Sequence, residues 1–279
     1  MVRHRIGVMQ GRLSPRPANR LQAFPHETWP EEFALAKRVG YSYLEWIYEA
    51  ERAAQNPIAS AAGRAAIRAC MRESGLPVGS VCADYFMIHR LAGGSAQARR
   101  EHAQALCELV HWTRELGATR ILLPLLETSA LDSPELVSEV TESIRSVCAT
   151  LDACEVVLGL EMEIPGPDYA RVIRGIGRER VRAYYDTGNS TAQGLDIATD
   201  ILPLLPLLEA VHLKDRMVSG SSQPFGQGAA NFSGFFAALA GAGYAGDFLT
   251  QHYFDAEPEA SALHSVGFVR EQLGRPEAA

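Results

Sequence analysis

The chain has 279 residues, of which 47% are hydrophobic and 21% are charged, and its formal net charge is −7. This length suits two small domains or one (β/α)8 barrel, which typically needs roughly 250 residues. The acidic balance argues against a protein that neutralises nucleic-acid phosphates, so no nucleic-acid partner is expected.

Compartment and membrane signals point to a cytoplasmic protein. No apolar run approaches the roughly 20 residues that span a bilayer, and the N-terminus lacks the apolar stretch of a signal peptide. The five cysteines are scattered and form no CxxC pair, so neither a disulfide framework nor a thiolate zinc site is predicted. We expect a reduced, cytoplasmic protein with no membrane partner.

Short apolar runs alternate with longer amphipathic segments along the chain. The predicted strands cover 4–9, 42–47, 77–82, 119–125, 155–162, 181–186, 208–213 and 247–251. The predicted helices cover 28–39, 59–73, 96–117, 133–153, 168–175, 196–206, 231–242 and 257–273. Because parallel strands need crossover connections, this alternation predicts an α/β fold, a single (β/α)8 TIM barrel over residues 1–279. A doubly wound open sheet is the alternative, but no GxGxxG motif follows the first strand.

Several helix boundaries carry local signals. Gly40 and Gly75 are candidate C-caps, and Asp132 or Ser133 can cap the helix that starts near Pro134. The helix over 96–117 is predicted to bury one face, formed by Ala103, Leu106, Leu109, Val110 and Thr113.

Four polar side chains stand at the ends of the last four predicted strands. They are Glu161, Asp186, His212 and Gln251, which are 25, 26 and 39 residues apart, about one strand-plus-helix unit each time. Because barrel active sites lie at the carboxyl ends of the strands, all four can converge on one site. Singly, each carboxylate could cap a loop or helix and His212 could be a core histidine, but four such coincidences favour a shared site.

This set can bind a divalent metal. Two carboxylates, an imidazole and a carboxamide suit Mn²⁺, Mg²⁺, Co²⁺ or Zn²⁺ without choosing among them. A metal there could polarise a carbonyl and stabilise the enediolate that forms when a proton leaves the adjacent carbon. The base would be a carboxylate, and Glu161 is the natural candidate.

The segments LEMEIP, YDTGN, VHLKD, PFGQGAANF and GYAGDFL resemble the sugar-phosphate isomerase/epimerase superfamily, which has the xylose-isomerase-like TIM barrel. The ketose 3-epimerases and the L-ribulose-5-phosphate (L-xylulose-5-phosphate) 3-epimerases are the branches it resembles most. The similarity is densest over 155–251. It implies one divalent metal, Mn²⁺ by preference, a small carbohydrate substrate, and a homodimer or homotetramer.

In that family a Glu, an Asp, a His and a second Glu hold the metal, and the two glutamates exchange the substrate proton. Carried over by motif, Glu161 is a ligand and the acid/base, and Asp186 and His212 are further ligands. The fourth metal and catalytic position falls on Gln251, which can offer a carbonyl oxygen but cannot accept a proton at neutral pH. A symmetrical two-glutamate epimerisation is therefore in doubt, whereas single-base chemistry through Glu161 is retained.

Further residues are candidate substrate contacts. Gln10 follows the first strand, Trp46 could form an apolar wall against a sugar or be a core aromatic, and Glu163 could supply a second carboxylate. The remaining candidates are Asp84, Asn189 and Lys214. Lys214 and the backbone amides of 224–228 could form an anion site, because glycines allow close approach; a surface ion pair between Lys214 and Asp215 is the alternative.

These features predict a metal-dependent isomerase or epimerase of a sugar, sugar phosphate or related polyol. The alternatives are a catalytically silent sugar-binding relative, supported by Gln251, and an inosose-dehydratase-like lyase that begins with the same enolisation. A DNA-repair AP endonuclease of the same barrel superfamily is disfavoured, because Asn189 stands where those enzymes have a histidine ligand and the pI is acidic, near 5.7.

Overall fold

The protein is represented by a computed structural model that describes residues 4–15, 22–254 and 257–274. Eight parallel strands close into a barrel, with each strand hydrogen-bonded to two neighbours. In chain order they are β1 (Ile6–Met9), β2 (Tyr43–Ile47), β3 (Val78–Cys82), β4 (Arg120–Leu125), β5 (Val157–Met162), β6 (Val181–Asp186), β7 (Leu208–Leu213) and β10 (Asp247–Thr250). This closed order confirms the predicted (β/α)8 barrel and rules out the doubly wound sheet.

Helices surround the barrel, and a small hairpin lies between the last two barrel strands. The helices are α1 (Trp29–Val39), α2 (Ala61–Ser74), α3 (Tyr85–Ile88), α4 (Ala96–Glu115), α5 (Pro134–Cys154), α6 (Gly166–Ile176), α7 (Thr187–Ala192), α8 (Ile197–Asp200), α9 (Phe232–Gly241) and α10 (Pro258–Gln272). The antiparallel hairpin pairs β8 (Asp215–Arg216) with β9 (Ser222–Gln223). None of the helices in the described ranges is both long and apolar enough to cross a bilayer.

Local signals placed most helix boundaries correctly. Gly40 and Gly75 end α1 and α2 in the left-handed conformation, and the Ser133 side chain caps α5 at the amide of Leu136. The buried residues of α4 are the five predicted for its inner face.

One predicted helix is wrong. The helix over 196–206 is instead α8 followed by a 3₁₀ segment over Leu202–Leu207, because Pro203 and Pro206 interrupt an α-helical hydrogen-bond pattern. The helix α7, which starts directly after Asp186, was not among the predicted helices.

Two buried tyrosines, Tyr43 of β2 and Tyr184 of β6, fill the middle of the barrel, and glycines on adjacent strands make room for them. A Cβ on Gly79 would lie 2.5 Å from the Tyr43 ring, and one on Gly159 would lie 2.7 Å from the Tyr184 ring. Because no side-chain shift of a packed ring could relieve these contacts cheaply, the two strands need glycine at these positions.

A buried ion pair closes the amino-terminal end of the barrel. Arg120 Nη2 lies 2.5 Å from Asp247 Oδ2, and their side chains are 5% and 9% exposed. Burial alone would raise the pKa of Asp247, but its bonds to Arg5 and Arg120 lower it. Charge pairing therefore occupies this end of the barrel, opposite the carboxyl end of the strands.

A buried carboxyl group organises the segment that follows β1. Glu32 of α1 accepts hydrogen bonds from the amides of Gly11 and Leu13 and from the Ser14 hydroxyl, at 2.9, 3.2 and 2.9 Å. Burial nevertheless raises the pKa of Glu32 to about 7. The loop that carries Gln10 is thus held by a group that titrates near neutrality.

Removing one partner of the buried ion pair should cost more than removing both. Asp247→Ala leaves the Arg120 charge buried with only Glu209, 3.9 Å away, so we expect a loss of about 3 kcal/mol in the free energy of unfolding. Combining it with Arg120→Met should recover part of this loss. Urea unfolding measures both variants, and equal losses would contradict the assignment of the cost to an unpaired charge.

Glu32 should make stability depend on pH. Between its usual pKa of 4.5 and the folded value of about 7, the folded protein holds the extra proton, so its contribution to stability falls as pH rises through this window. The Glu32→Gln variant lacks this titration. Its free energy of unfolding relative to wild type should therefore rise by about 2–3 kcal/mol between pH 4.5 and 7.5. A constant difference across that range would mean that folding leaves the pKa of Glu32 unchanged.

Candidate metal centre

Three side chains meet at the carboxyl end of the barrel. One ligand atom from each of Glu161, Asp186 and His212 lies within 4.8 Å of the other two, and all three residues are buried. They stand at the ends of β5, β6 and β7, which are neighbours in the barrel. The structure therefore brings together three of the four residues predicted at strand ends, in an arrangement that could hold a cation.

His212 has one ring nitrogen bonded and the other free. Its Nε2 lies 2.7 Å from Glu45 Oε2, with both side chains almost completely buried. Its Nδ1 has no hydrogen-bond partner among the described residues and lies 3.9 Å from Asp186 Oδ2. Because a carboxylate accepts but does not donate, Glu45 requires the proton on Nε2, and the lone pair on Nδ1 is left facing the other two ligands. A carboxylate behind a metal-binding histidine is the usual second partner in such sites.

Three hydrogen bonds hold Glu45 in the ionised form. Its Oε1 accepts from the Ser80 hydroxyl at 2.7 Å and from the Tyr184 hydroxyl at 2.8 Å, in addition to the contact with His212. Burial alone would raise the pKa of Glu45, but the imidazole and the two hydroxyls outweigh it and lower the pKa.

Asp186 is fixed from two sides. Its Oδ1 accepts from the amide of Asn189 at 2.9 Å, which caps α7, and its Oδ2 lies 3.1 Å from Lys214 Nζ. Burial would raise the pKa of Asp186, but Lys214 and His212 lower it. A Cβ on Gly188 would lie 2.7 Å from the Lys214 side chain, so glycine is required for the lysine to reach this carboxylate.

Asn189 links Glu161 to the guanidinium group of Arg216. Its Nδ2 donates to Glu161 Oε1 at 2.9 Å, and its Oδ1 accepts from Arg216 Nη1 at 3.4 Å. Burial and the adjacent Asp186 carboxylate raise the pKa of Glu161 well above the usual range. A bound cation would oppose this shift, because it favours the carboxylate form.

Gln251, the fourth predicted ligand, lies beside the trio but makes a different contact. Its backbone amide donates to Leu213 O at 2.9 Å, and its side-chain Nε2 donates to Gln22 Oε1 at 2.5 Å. Gln22 Nε2 in turn donates to Asp84. The predicted contact residue Asp84 is therefore linked to Gln251 through a glutamine that the sequence reading did not include.

The other predicted contacts divide by position. Gln10 is buried, with Oε1 accepting from the amide of Ile47 at 3.0 Å and Nε2 without a partner in the described structure. Glu163 lies one residue beyond β5 and is exposed. Trp46 is fully buried, packs on Trp29 of α1 and donates to Asn56, so the predicted sugar wall does not fit its position.

The predicted anion site around Lys214 is wrong. The amides of Gly226 and Gly228 each donate to Asp215 Oδ2 at 2.9 Å, so a carboxylate of the chain itself already occupies the backbone donors. The alternative ion pair is wrong too, because Lys214 pairs with Asp186 instead.

Two residues of the site, Glu45 and Gln22, were not predicted to belong to it. Glu45 had a detectable signal, since a carboxylate within an apolar strand must find a buried partner, and His212 was the available one. Gln22 had none, because it lies in a segment without a periodic pattern.

The geometry agrees with the comparisons to known proteins. The profile of the family described as "Xylose isomerase-like TIM barrel" matches residues 33–272. The Escherichia coli (strain K12) protein SgbU, named "Putative L-ribulose-5-phosphate 3-epimerase", is 26% identical over 249 residues, which cover 83% of this chain and 86% of that protein.

Two solved structures share the fold. An L-ribulose 3-epimerase superposes with a TM-score of 0.76 at 16% identity and covers 98% of this chain and 95% of its own. A D-psicose 3-epimerase in the presence of D-fructose superposes with a TM-score of 0.77 at 14% identity and covers 97% of this chain and 99% of its own. The family profile spans most of the sequence, and the chain belongs to the xylose isomerase-like TIM barrel family.

Proposed function

We propose that this chain is a divalent-metal-dependent isomerase or epimerase that acts on a sugar, a sugar phosphate or a related polyol. The observation that carries the proposal is the unpartnered Nδ1 of His212, directed at two buried carboxylates and fixed by Glu45 from behind. The names of the relatives, which are epimerases of ketoses and of a ketose phosphate, support the substrate class.

The residues fit a divalent cation. Glu161, Asp186 and His212 would hold it, and their oxygen and imidazole ligands suit Mn²⁺ best in our proposal, with Mg²⁺, Co²⁺ and Zn²⁺ as alternatives. When bound, such an ion would polarise a substrate carbonyl and so acidify the neighbouring carbon.

Glu161 would move the proton. Its Oε1 is held by Asn189, whereas no described residue donates to its Oε2, so one oxygen remains for a substrate C–H. Asp186 is less suited to this role, because its Oδ1 caps α7 and the Lys214 ammonium near its Oδ2 lowers its pKa and so weakens it as a base. Glu161 would remove the proton next to the carbonyl and return it to the former carbonyl carbon, which is aldose–ketose isomerisation; epimerisation would require the proton to return to the same carbon from the opposite face, and so a second proton donor there.

Gln251 favours one alternative, a relative that binds the sugar without moving its proton. A carboxamide cannot accept a proton, so the second acid/base of the resembled family is missing at this position. The alternative is distinguished by metal binding without proton exchange.

Substitutions at Asp186 and Glu161 should have different effects, the first on metal binding and the second on proton exchange. Asp186→Asn keeps an oxygen for the α7 cap but loses a charge. Wild type should bind about one Mn²⁺ per chain, and the affinity of the variant for Mn²⁺ should be at least tenfold lower. Glu161→Gln should retain measurable Mn²⁺ yet lower the rate of deuterium incorporation from D2O into ketopentoses, ketohexoses and their phosphates by at least 100-fold. Mass spectrometry measures the metal, and proton NMR measures the exchange.

These measurements distinguish an enzyme from a catalytically silent relative. Mn²⁺ binding that needs Asp186, together with exchange that needs Glu161, supports the enzyme. Metal binding with no exchange on any of these sugars would favour the silent relative, and wild-type protein that binds no Mn²⁺ would contradict the proposal.

Glu45 should matter for metal binding without touching the ion. Glu45→Gln removes the charge that demands the proton on His212 Nε2, so affinity for Mn²⁺ should drop by about 10- to 100-fold. Tyr184→Phe is the matched control, because it removes one hydrogen bond from Glu45 but keeps its carboxylate. Calorimetric titration with Mn²⁺ compares them, and equal affinities in wild type and Glu45→Gln would show that Glu45 does not support the ligand.

A further inference from the structure

A chain of hydrogen bonds runs from Gln251 across the mouth of the barrel. Gln251 Nε2 donates to Gln22 Oε1 at 2.5 Å, and Gln22 Nε2 donates to Asp84 Oδ2. The Cys82 thiol contacts the other oxygen, Asp84 Oδ1, at 3.1 Å. Asp84 therefore receives two donors and forms the end of the chain.

The charge at Asp84 sets the direction of every bond in this chain. A carboxylate only accepts, so Gln22 must turn its NH2 group to Asp84 and its carbonyl oxygen to Gln251. Gln251 must then turn its own NH2 group to Gln22. Because the oxygen and the nitrogen of a carboxamide diverge from the same carbon, the carbonyl oxygen of Gln251 is not the atom that contacts Gln22 and remains available to another partner.

The position of Gln251 places its side chain on the interior side of the barrel. Leu249, two residues earlier, pairs in register with His212 and lies within contact distance of Gly7 on β1. Residues two apart on a strand share a face, so Gln251 continues the interior face of β10 at the level of the trio. Its side chain is 8% exposed.

We propose that Asp84, acting through Gln22, is a positioning residue that turns the Gln251 carbonyl oxygen toward a cation held by Glu161, Asp186 and His212. The inference rests on the proposed metal-dependent function. It makes residues 84 and 251 a matched pair: a glutamate at 251 would also seek the NH2 group of Gln22, and Gln22 would then lie between two groups that only accept.

The test is Mn²⁺ affinity of the full-length, chelator-treated chain, measured by calorimetry with the melting temperature of each variant. Asp84→Asn lets residue 84 donate, so Gln22 can turn over and present the wrong end of Gln251; we expect Mn²⁺ binding to weaken about 10- to 100-fold. Glu163→Gln is the matched control for the loss of one negative charge near the mouth, and its effect should be smaller.

Gln22 separates the relay from simple electrostatics. In a Gln22→Ala background the Asp84→Asn change should weaken binding no more than Glu163→Gln does, because the connection is already broken. A through-space charge effect would be the same in both backgrounds.

Reversing both ends should restore binding. In the double variant Asp84→Asn with Gln251→Glu, residue 84 donates to Gln22 and Gln22 donates to the new carboxylate, so Mn²⁺ should bind at least as tightly as in wild type. It should also bind at least tenfold more tightly than in Gln251→Glu alone, a comparison that decides the matter if Asp84→Asn alone does not fold.

Two kinds of failure are distinguishable. Wild type that binds no Mn²⁺, or binding that survives Asp186→Asn unchanged, would overturn the metal-dependent function itself. Binding that needs Asp186 but responds to Asp84→Asn no more than to Glu163→Gln, or equally with and without Gln22, would overturn the relay alone.

Discussion

The hydrogen bond between Glu45 and His212 is the contact on which the site depends. It joins β2 to β7 through the barrel interior, where both side chains are almost completely buried. In that environment an unpaired carboxylate would be costly, so Glu45 needs the imidazole proton as much as His212 needs a fixed orientation. The packing below it serves the same contact, since Tyr184 fills the barrel next to Gly159 and reaches Glu45 with its hydroxyl.

Around this contact, charged side chains determine which end of a neighbouring carboxamide, the NH2 group or the oxygen, faces the site. Arg216 donates to Asn189, and Asn189 therefore presents its NH2 group to Glu161. On the other side, Asp84 accepts from the NH2 group of Gln22, and the oxygen of Gln22 accepts from the NH2 group of Gln251. The oxygen of Gln251 is then left to face the proposed cation. Since an amide has a donor end and an acceptor end, the far partner decides which end reaches the site. The same functional group, a carboxamide, thus donates to Glu161 from Asn189 and supplies a neutral oxygen at Gln251.

The fold was predictable from the sequence because alternation and chain length constrain it strongly. Strand ends at Met162, Asp186 and Leu213 follow from apolar runs that stop at polar residues, and they locate the trio. The period of two also says that Glu45 and Trp46 lie on opposite faces of β2, but it does not say which face is the interior. Trp46 was the residue predicted to contact substrate, but the structure places Glu45 in the site, because the Trp46 ring packs on Trp29 outside the barrel.

The remaining errors come from contacts that sequence spacing does not encode. The amides of Gly226 and Gly228 were predicted to be available to a bound anion, but both donate to Asp215. A buried carboxylate close in sequence satisfies these backbone donors within the chain itself. Likewise, nothing in the pattern around Gln22 indicates its position between Asp84 and Gln251, because loop geometry depends on the assembled barrel.

Charge gives a reason for a neutral side chain at the fourth ligand position. Glu161, Asp186 and Glu45 already place three carboxylates at or behind the trio, and Lys214 offsets one of them. A divalent cation would balance the other two. A carboxylate at residue 251 would add a second negative charge near Asp84, from which it is separated only by the Gln22 side chain. Neighbouring like charges raise each other's pKa values and so oppose ionisation. A carboxamide supplies the oxygen without that penalty, and in return the site keeps one group, Glu161, that can carry a proton.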